Sequence, residues 1–473
     1  MRLFVGGTIV TMAQPQPAEA LLEKDGVIAA VGDRAALAAS APQAEVIDLK
    51  GHALLPAFID AHGHILQLAK AMRCADLSAC HSFDEIVETL RAFARERDLA
   101  GGDWLLGFGY EPSSLTENAH PPQSLLDGAF PARPVLLTHR SGHMGVLSAE
   151  AMRQTGAKES LLTETAFFEV SARMPPISTE ALEGLMARAQ QAYLSHGIAT
   201  AQEGKLDAAD FDFLRRVASA GALRLDVIGY ADIAEDGGLP STFPEYDGHY
   251  RDRLKLGGYK LFLDGSPQGR TAWVSEPYLG ESRERGVRIH DDSQVDAWVA
   301  KAQREGRQLL THCNGDAAIE QLLRAYREPS RTRDVIIHAQ LMRQDQLPRV
   351  KALGLMPSYF VSHTHYFAAA HLQNLGPQRA ARISPMRSTQ ALGIPQTIHT
   401  DTPVLPPDPL DAAWCACNRL TLAGEVLGPE ERLEPWEALR CITYSAAFQA
   451  HEEQRKGTLE PGKLADMAEL SEN

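Results

Sequence analysis

The chain lacks the features that mark secreted and membrane-bound proteins. Its six cysteines among 473 residues have no regular spacing, and a chain of this size needs no disulfide framework, so we expect reduced thiols. No stretch of the sequence reaches the roughly 20 apolar residues of a membrane span. The short apolar run at the N-terminus is interrupted by Gly6 and Gly7, which is untypical of a signal peptide. These absences predict a cytoplasmic protein with no membrane partner.

Positive charge is also scarce. Lys and Arg number 46 against 61 Asp and Glu, which gives a formal net charge of −15. Nucleic acids need a basic surface, so they are not predicted as partners. The chain does have an ordinary globular composition, with 44% hydrophobic residues, and enough length for one large barrel domain with additions. Small molecules, and other copies of the chain in a homo-oligomer, are the partners compatible with this composition.

The hydrophobic pattern changes near residue 55. Before this point, short strand-like runs are separated by turn signals such as Asp25-Gly26, which is typical of a small β-domain. After it, continuous apolar runs alternate with longer helical stretches, as in a parallel sheet with crossover helices. Eight such runs predict an α/β protein with a closed (β/α)8 TIM barrel. The runs cover residues 58–65, 198–202, 225–230, 258–263, 308–312, 335–338, 355–359 and 394–399.

The same pattern divides the chain into domains. Residues 56–451 form the predicted barrel, and residues 1–55 and 452–473 form a small β-sandwich built from both termini. The gap between the first and second barrel runs is long and contains Pro-rich loops. Because barrels carry insertions on the loops of the catalytic face, we expect residues 66–197 to form a lid or substrate-pocket subdomain. Its two predicted helices lie at 83–97 and 179–196.

Two histidines lie at the end of the first barrel run. His62 and His64 stand in an Asp-Ala-His-Gly-His segment at the end of the run. Because residues two apart in a strand point to the same side, both imidazoles are able to bind one metal ion. For these two residues alone, a structural histidine pair is the alternative.

Four more polar residues lie in or after other barrel runs. Lys260 lies within its run, and His312 and His338 end theirs, whereas Asp401 follows the eighth run. The carboxyl ends of barrel strands converge on one face, where active sites form. A single such residue is more often a buried structural group. Four histidines, one lysine and one aspartate at such positions together predict a metal centre.

With these residues in place, the sequence resembles the amidohydrolase superfamily and, within it, the YtcJ-like branch, whose named members include N-substituted formamide deformylases. The resemblance covers almost the whole chain in the same order, and it does not identify a substrate. The stretches that carry it are residues 4–12, 56–64, 260–266, 310–318, 400–405 and 457–466.

The resemblance implies a metal-dependent hydrolase that cleaves a non-peptide, amide-type C–N bond with a metal-activated hydroxide. It also implies two divalent ions, with zinc as the metal. Lys260, carboxylated on its amine, would bridge the ions, and Asp401 would be both a ligand and the general base. The implied ligands are His62 and His64 for one ion, His312 and His338 for the other, with Lys260 and Asp401.

Three further histidines are candidate substrate-binding residues. His143 lies in a Gly-His segment of the insertion that resembles a motif of the branch, although Ser148 stands where the branch usually has Asn. His363 and His365 follow the seventh run, and they either face the substrate or form a loop network.

Other functions fit parts of this pattern. A mononuclear deaminase, or a lactone or ester hydrolase, would use the same fold, but a mononuclear deaminase has no use for a bridging lysine. A non-catalytic relative would keep the barrel, yet all six candidate ligands are present. We therefore favour a hydrolase with two metal ions.

Overall fold

The computed structural model describes residues 1–139, 144–174, 176–280 and 283–471. The strands are β1 (Arg2–Val5), β2 (Thr8–Ile9), β3 (Ala20–Lys24), β4 (Val27–Gly32), β5 (Glu45–Asp48), β6 (Ala53–Pro56), β7 (Phe58–Ile59), β8 (Cys74–Asp76), β9 (Leu105–Tyr110), β10 (Val135–His139), β11 (Met144–Leu147), β12 (Leu161–Thr163), β13 (Ile198–Leu206), β14 (Asp226–Asp232), β15 (Leu254–Phe262), β16 (Gln308–Cys313), β17 (Val335–His338), β18 (Met356–Tyr359), β19 (Thr397–Ile398) and β20 (Met467–Leu470).

The α-helices are α1 (Arg34–Ser40), α2 (Ile65–Ala71), α3 (Phe83–Glu96), α4 (Gln123–Ala129), α5 (Ala149–Thr155), α6 (Glu164–Ser171), α7 (Thr179–Ser195), α8 (Ala208–Ser219), α9 (Leu239–Thr242), α10 (Asp292–Glu305), α11 (Asp316–Ala325), α12 (Leu347–Ala352), α13 (His363–Tyr366), α14 (Ala368–Leu375), α15 (Pro377–Ala380), α16 (Met386–Ala391), α17 (Pro409–Asn418), α18 (Pro435–Cys441) and α19 (Tyr444–Gln449). Among the residues that the structure describes, no helix combines the length and the apolar character needed to cross a membrane.

The largest sheet has eight parallel strands in the order β7, β13, β14, β15, β16, β17, β18 and β19. Strands β14, β17 and β18 are buried along their whole length, as expected for parallel strands covered on both faces. The predicted α/β character and the eight parallel strands are confirmed. The segments that follow the first and last strands also meet, because the backbone N–H of His64 donates to the carbonyl of Thr402 (2.8 Å).

The first strand of this sheet is shorter than the sequence predicts. Strand β7 ends at Ile59, and Ile65 already begins helix α2. His62 and His64 therefore lie in a connecting segment, and the prediction that strand pleating orients them was wrong. The segment is held by tertiary contacts instead, since the buried Asp60 carboxylate accepts hydrogen bonds from the N–H and the hydroxyl of Thr400.

Two small sheets are built mainly from the N-terminal residues. One has the strand order β4-β3-β1-β5, and the other has the order β2-β6-β20. The C-terminal strand β20 pairs antiparallel with β6, and Leu54 and Leu459 share a buried apolar cluster. Helix α1 was not predicted, although Asp33 gives it an N-cap by accepting a hydrogen bond from the N–H of Ala36.

Residue contacts divide the chain into two compact units, Met1–Gln67 with Ala187–Asn473, and Leu68–Met186. The second unit contains a sheet with the strand order β12-β11-β10-β9-β8. The helices predicted at 83–97 and 179–196 are found as α3 and α7, but the five-stranded sheet was not predicted. Glycines in β9 weaken the strand pattern, and a Cβ at Gly107 would lie 2.6 Å from the end of the Leu77 side chain.

Candidate metal centre

The six predicted ligands lie in the strands of the eight-stranded sheet or in the segments directly after them. The structure brings the side chains together, with ring centroids 5.1 Å apart for His62 and His64 and 4.6 Å apart for His312 and His338. The ring centroids of His62 and His338 are 6.1 Å apart, so the two pairs are neighbours. The positions are His62 and His64 after β7, Lys260 in β15, His312 in β16, His338 at the end of β17, and Asp401 after β19.

One group of donor atoms is formed by His62, His64 and Asp401, whose potential ligand atoms all lie within 4.8 Å of one another. The Nε2 atoms of both histidines are 3.8 Å from Asp401 Oδ1. Lys260 is fully buried beside them, with its Nζ 3.0 Å from His62 Nε2. Imidazole nitrogens with a carboxylate oxygen are a donor set that zinc and similar divalent ions accept.

Two neighbouring residues of strand β13 contact the Nδ1 atoms of these two histidines. Gln202 Oε1 is 3.4 Å from His62 Nδ1, and Glu203 Oε1 is 3.1 Å from His64 Nδ1. The other Glu203 oxygen accepts the N–H of Leu66 (2.8 Å), which fixes the carboxylate. An acceptor at Nδ1 selects the tautomer that carries its proton there, so the Nε2 lone pair is free for a metal. Neither residue was predicted from the sequence, because their partners are about 140 positions away and no local pattern marks them.

Gly204 allows β13 to approach both histidines closely. A Cβ at this position would lie 2.2 Å from His62 Cε1 and 3.0 Å from His64 Cε1. We expect Gly204→Ala to displace the imidazoles and to lower the free energy of unfolding by about 1–3 kcal/mol, measured by chemical denaturation. The matched control is Gly128→Ala in α4, where a Cβ meets nothing within 4 Å. Equal stability of the two variants would contradict the close packing.

A second group of donor atoms is formed by His338, His399 and again Asp401. His399 Nε2 is 3.1 Å from His338 Nδ1, and His399 Nδ1 is 2.8 Å from Ser358 Oγ. Asp401 is thus common to both groups. His399 was not among the predicted ligands, although it ends the eighth apolar run just as His312 and His338 end theirs.

His312 was predicted as a ligand but belongs to neither group of donor atoms, although its ring centroid lies 4.6 Å from that of His338. Its Nδ1 is 3.1 Å from Asp264 Oδ1. The buried Asp264 carboxylate also accepts three backbone N–H groups, which fix it and therefore the imidazole that it contacts. These donors belong to Trp273, Asn314 and Gly315.

Burial sets the protonation states at this centre. It lowers the pKa values of His62, His338 and His399 well below the ordinary range, so these imidazoles are neutral, which is the form that binds metals. Burial also lowers the pKa of Lys260 to about 7 and raises the pKa of the Asp401 carboxyl. Because bound cations would favour an ionised carboxylate and a deprotonated amine, these residues fit divalent metal ions.

Two of the candidate ligands have an unusual backbone conformation. His338 has φ of 71° and Asp401 has φ of 53°, values in the left-handed region that non-glycine residues rarely adopt. Such residues cost about 1–3 kcal/mol each, cluster at functional sites, and persist only where their surroundings impose them. For Asp401, the preceding Thr400 supplies that restraint through its hydrogen bonds to Asp60.

Of the three candidate substrate-binding histidines, two lie among the described residues, and each of these contacts another group of the protein. His143 lies outside the described residues. His363 is buried, with its Nδ1 2.9 Å from His371 Nε2. His365 Nδ1 is hydrogen-bonded to the carbonyl of Leu420. For His363 and His365, these contacts favour the loop network over direct contact with a substrate.

The fold and the donor groups together are those of a metal-dependent hydrolase. The sequence model of the amidohydrolase family matches residues 45–473, and the chain belongs to this family. The resemblance recognised in the sequence is therefore confirmed.

Individual relatives agree with this assignment. The chain is 26% identical to the putative amidohydrolase YtcJ of Bacillus subtilis (strain 168), over 99% of this chain and 94% of that protein. It is 25% identical to the N-substituted formamide deformylase of Arthrobacter pascens, over 96% of this chain and 90% of that protein. The crystal structure of an uncharacterized metal-dependent hydrolase from Pyrococcus furiosus is similar with a TM-score of 0.84 and 25% identity, over 100% of this chain and 99% of that one.

Proposed function

We propose that the protein hydrolyses a non-peptide, amide-type C–N bond of a small molecule. The observation that carries this proposal is that Asp401 is common to two groups of metal-binding atoms, with the buried Lys260 next to them. This arrangement suits a centre of two ions with a carboxylate placed to handle the proton of an attacking water. The name of the relative from Arthrobacter pascens, a deformylase of N-substituted formamides, supports an N-formyl or N-acyl amine as the substrate.

We propose zinc for the two ions, and Lys260, carboxylated on its amine, would be a ligand that both ions share. Bound ions would polarise the scissile carbonyl and lower the pKa of water. Asp401 takes a proton from the attacking water and passes it to the leaving nitrogen, so the C–N bond breaks to give a carboxylic acid and an amine. The proposed ligands are His62 and His64 for one ion, His312 and His338 for the other, with Lys260 and Asp401.

The proposal extends to the domains. We infer that the parallel sheet closes into a (β/α)8 barrel within residues 56–451, which the hydrogen bonds between the segments after β7 and β19 support. The small sheets would form a β-sandwich from residues 1–55 and 452–473. Residues 66–197 would serve as the substrate-pocket subdomain of a cytoplasmic enzyme.

A hydrolysis screen on the zinc-loaded protein tests this function. The compounds are N-substituted formamides, N-acyl amino acids, hydantoins and lactones, and the released amine or acid is measured. We expect the amide-type compounds to be the better substrates. Faster hydrolysis of lactones would favour the ester-hydrolase alternative. A single zinc ion per chain in the active protein would rule out a centre of two ions.

We expect Glu203→Ala to weaken zinc binding by about 10- to 100-fold, because His64 Nδ1 loses its acceptor. Glu203→Gln keeps an acceptor oxygen and should lose less. Competition with a chromophoric chelator measures both affinities. The matched control is Glu23→Ala, since Glu23 is a similarly buried glutamate that pairs with Arg2 in a small sheet. If Glu203→Ala bound zinc as tightly as the control, Glu203 would have no role in positioning His64 for the metal.

A further inference from the structure

We propose that His399 is an additional protein ligand of the second metal ion, beyond the six ligands assigned above. This inference rests on the proposed metal centre. His399 lies one residue after β19 and two residues before Asp401. It therefore belongs to the segment that already supplies the shared carboxylate.

The spacing of the donor atoms is the first argument. His399 Nε2 is 3.1 Å from His338 Nδ1. Two nitrogens bound to one tetrahedral zinc ion at bond lengths of ~2.0–2.1 Å are roughly 3.3 Å apart. The two imidazoles are thus already separated by nearly the distance that a shared ion requires. Asp401 has a carboxylate oxygen within 4.8 Å of a ring nitrogen of each histidine and completes a set of three donor residues.

The orientation of the imidazole is the second argument. His399 Nδ1 lies 2.8 Å from Ser358 Oγ, and the His399 backbone N–H donates to the carbonyl of Tyr359 (3.2 Å). Both partners belong to β18, so one strand fixes the ring and the backbone. With Nδ1 occupied by the hydroxyl, Nε2 is the nitrogen that faces the other donors, as in metal sites whose ligands have outer hydrogen-bond partners.

The location of zinc tests this inference directly. Anomalous diffraction at the zinc absorption edge, on crystals of the wild-type protein loaded with zinc chloride, should place one ion at bonding distance from His399 Nε2. Two ions bound with neither in contact with His399 would overturn the inference and leave the proposed function intact. A protein that binds no zinc would overturn both.

Variants test the same point in solution. We expect His399→Ala to weaken the binding of one of the two zinc ions by about tenfold or more, in competition with a chromophoric chelator, and to leave the other ion bound. The control is His371→Ala, because His371 is an equally buried imidazole whose partner is His363. His399→Gln covers the case in which the alanine variant does not fold. If a folded His399 variant bound both zinc ions with wild-type affinity, His399 would not be a ligand.

Discussion

The Asp401→Asn variant is expected to lose about 10²- to 10⁴-fold in kcat, the range for removal of a general base or acid. Asparagine has nearly the same shape and keeps an oxygen that is able to face the donor groups. It does not accept the proton that the proposed mechanism transfers from water to the leaving nitrogen. Asp401 Oδ1 is 3.8 Å from the Nε2 atoms of both His62 and His64. Its replacement therefore changes a group that lies among the proposed metal ligands.

The measurement is steady-state kinetics on the best substrate of the screen, together with the zinc content of each variant. We expect kcat to fall while most of the zinc remains bound, since the histidines are unchanged. Asp212→Asn is the matched control, because Asp212 is an exposed carboxylate on α8 that pairs with Arg215, and it should have wild-type kinetics. Turnover of Asp401→Asn within a few-fold of this control would show that another group is the base.

The eight-stranded sheet and most of the candidate ligands were predictable for the same reason. Parallel strands covered on both faces appear in the sequence as continuous apolar runs, and β14, β17 and β18 are buried throughout. A polar residue at the end of such a run stands out against it, as His338 does. His399 satisfies the same criterion, because it ends the eighth run, and it was predictable in the same way.

Residues that act through long-range contacts were not predictable. Glu203 follows Gln202 in an unremarkable segment of β13, and its partner His64 is 139 positions away. Asp264 reaches His312 across 48 positions. The orientation of His62 and His64 was predicted from strand pleating, but it is set by these tertiary partners, because β7 ends at Ile59. A rule of local periodicity contains no information about such contacts.

The Lys260→Ala variant is expected to bind zinc more than about 100-fold less tightly, a larger loss than the 10- to 100-fold typical of an outer partner, and to lose activity with it. Lys260 is fully buried, and its Nζ contacts His62 Nε2. Because its pKa is lowered to about 7, the protonated form is lost as the pH rises through neutrality, and the free amine is then available. This amine adds to the carbon of carbon dioxide and releases one proton, which gives the carbamate that would bridge the ions.

Carbon-13 NMR after equilibration with ¹³C-labelled bicarbonate measures the carbamate directly. We expect one carbamate signal in the wild-type protein and its loss in Lys260→Ala. Lys255→Ala is the matched control, because Lys255 is a similarly buried lysine on the same strand whose amine forms an ion pair with Glu452, and the signal should persist. Added formate or acetate should restore part of the zinc binding of Lys260→Ala, since a free carboxylate is able to replace the carbamate between the ions. Two tightly bound zinc ions in Lys260→Ala without any added carboxylate would rule out the bridging role.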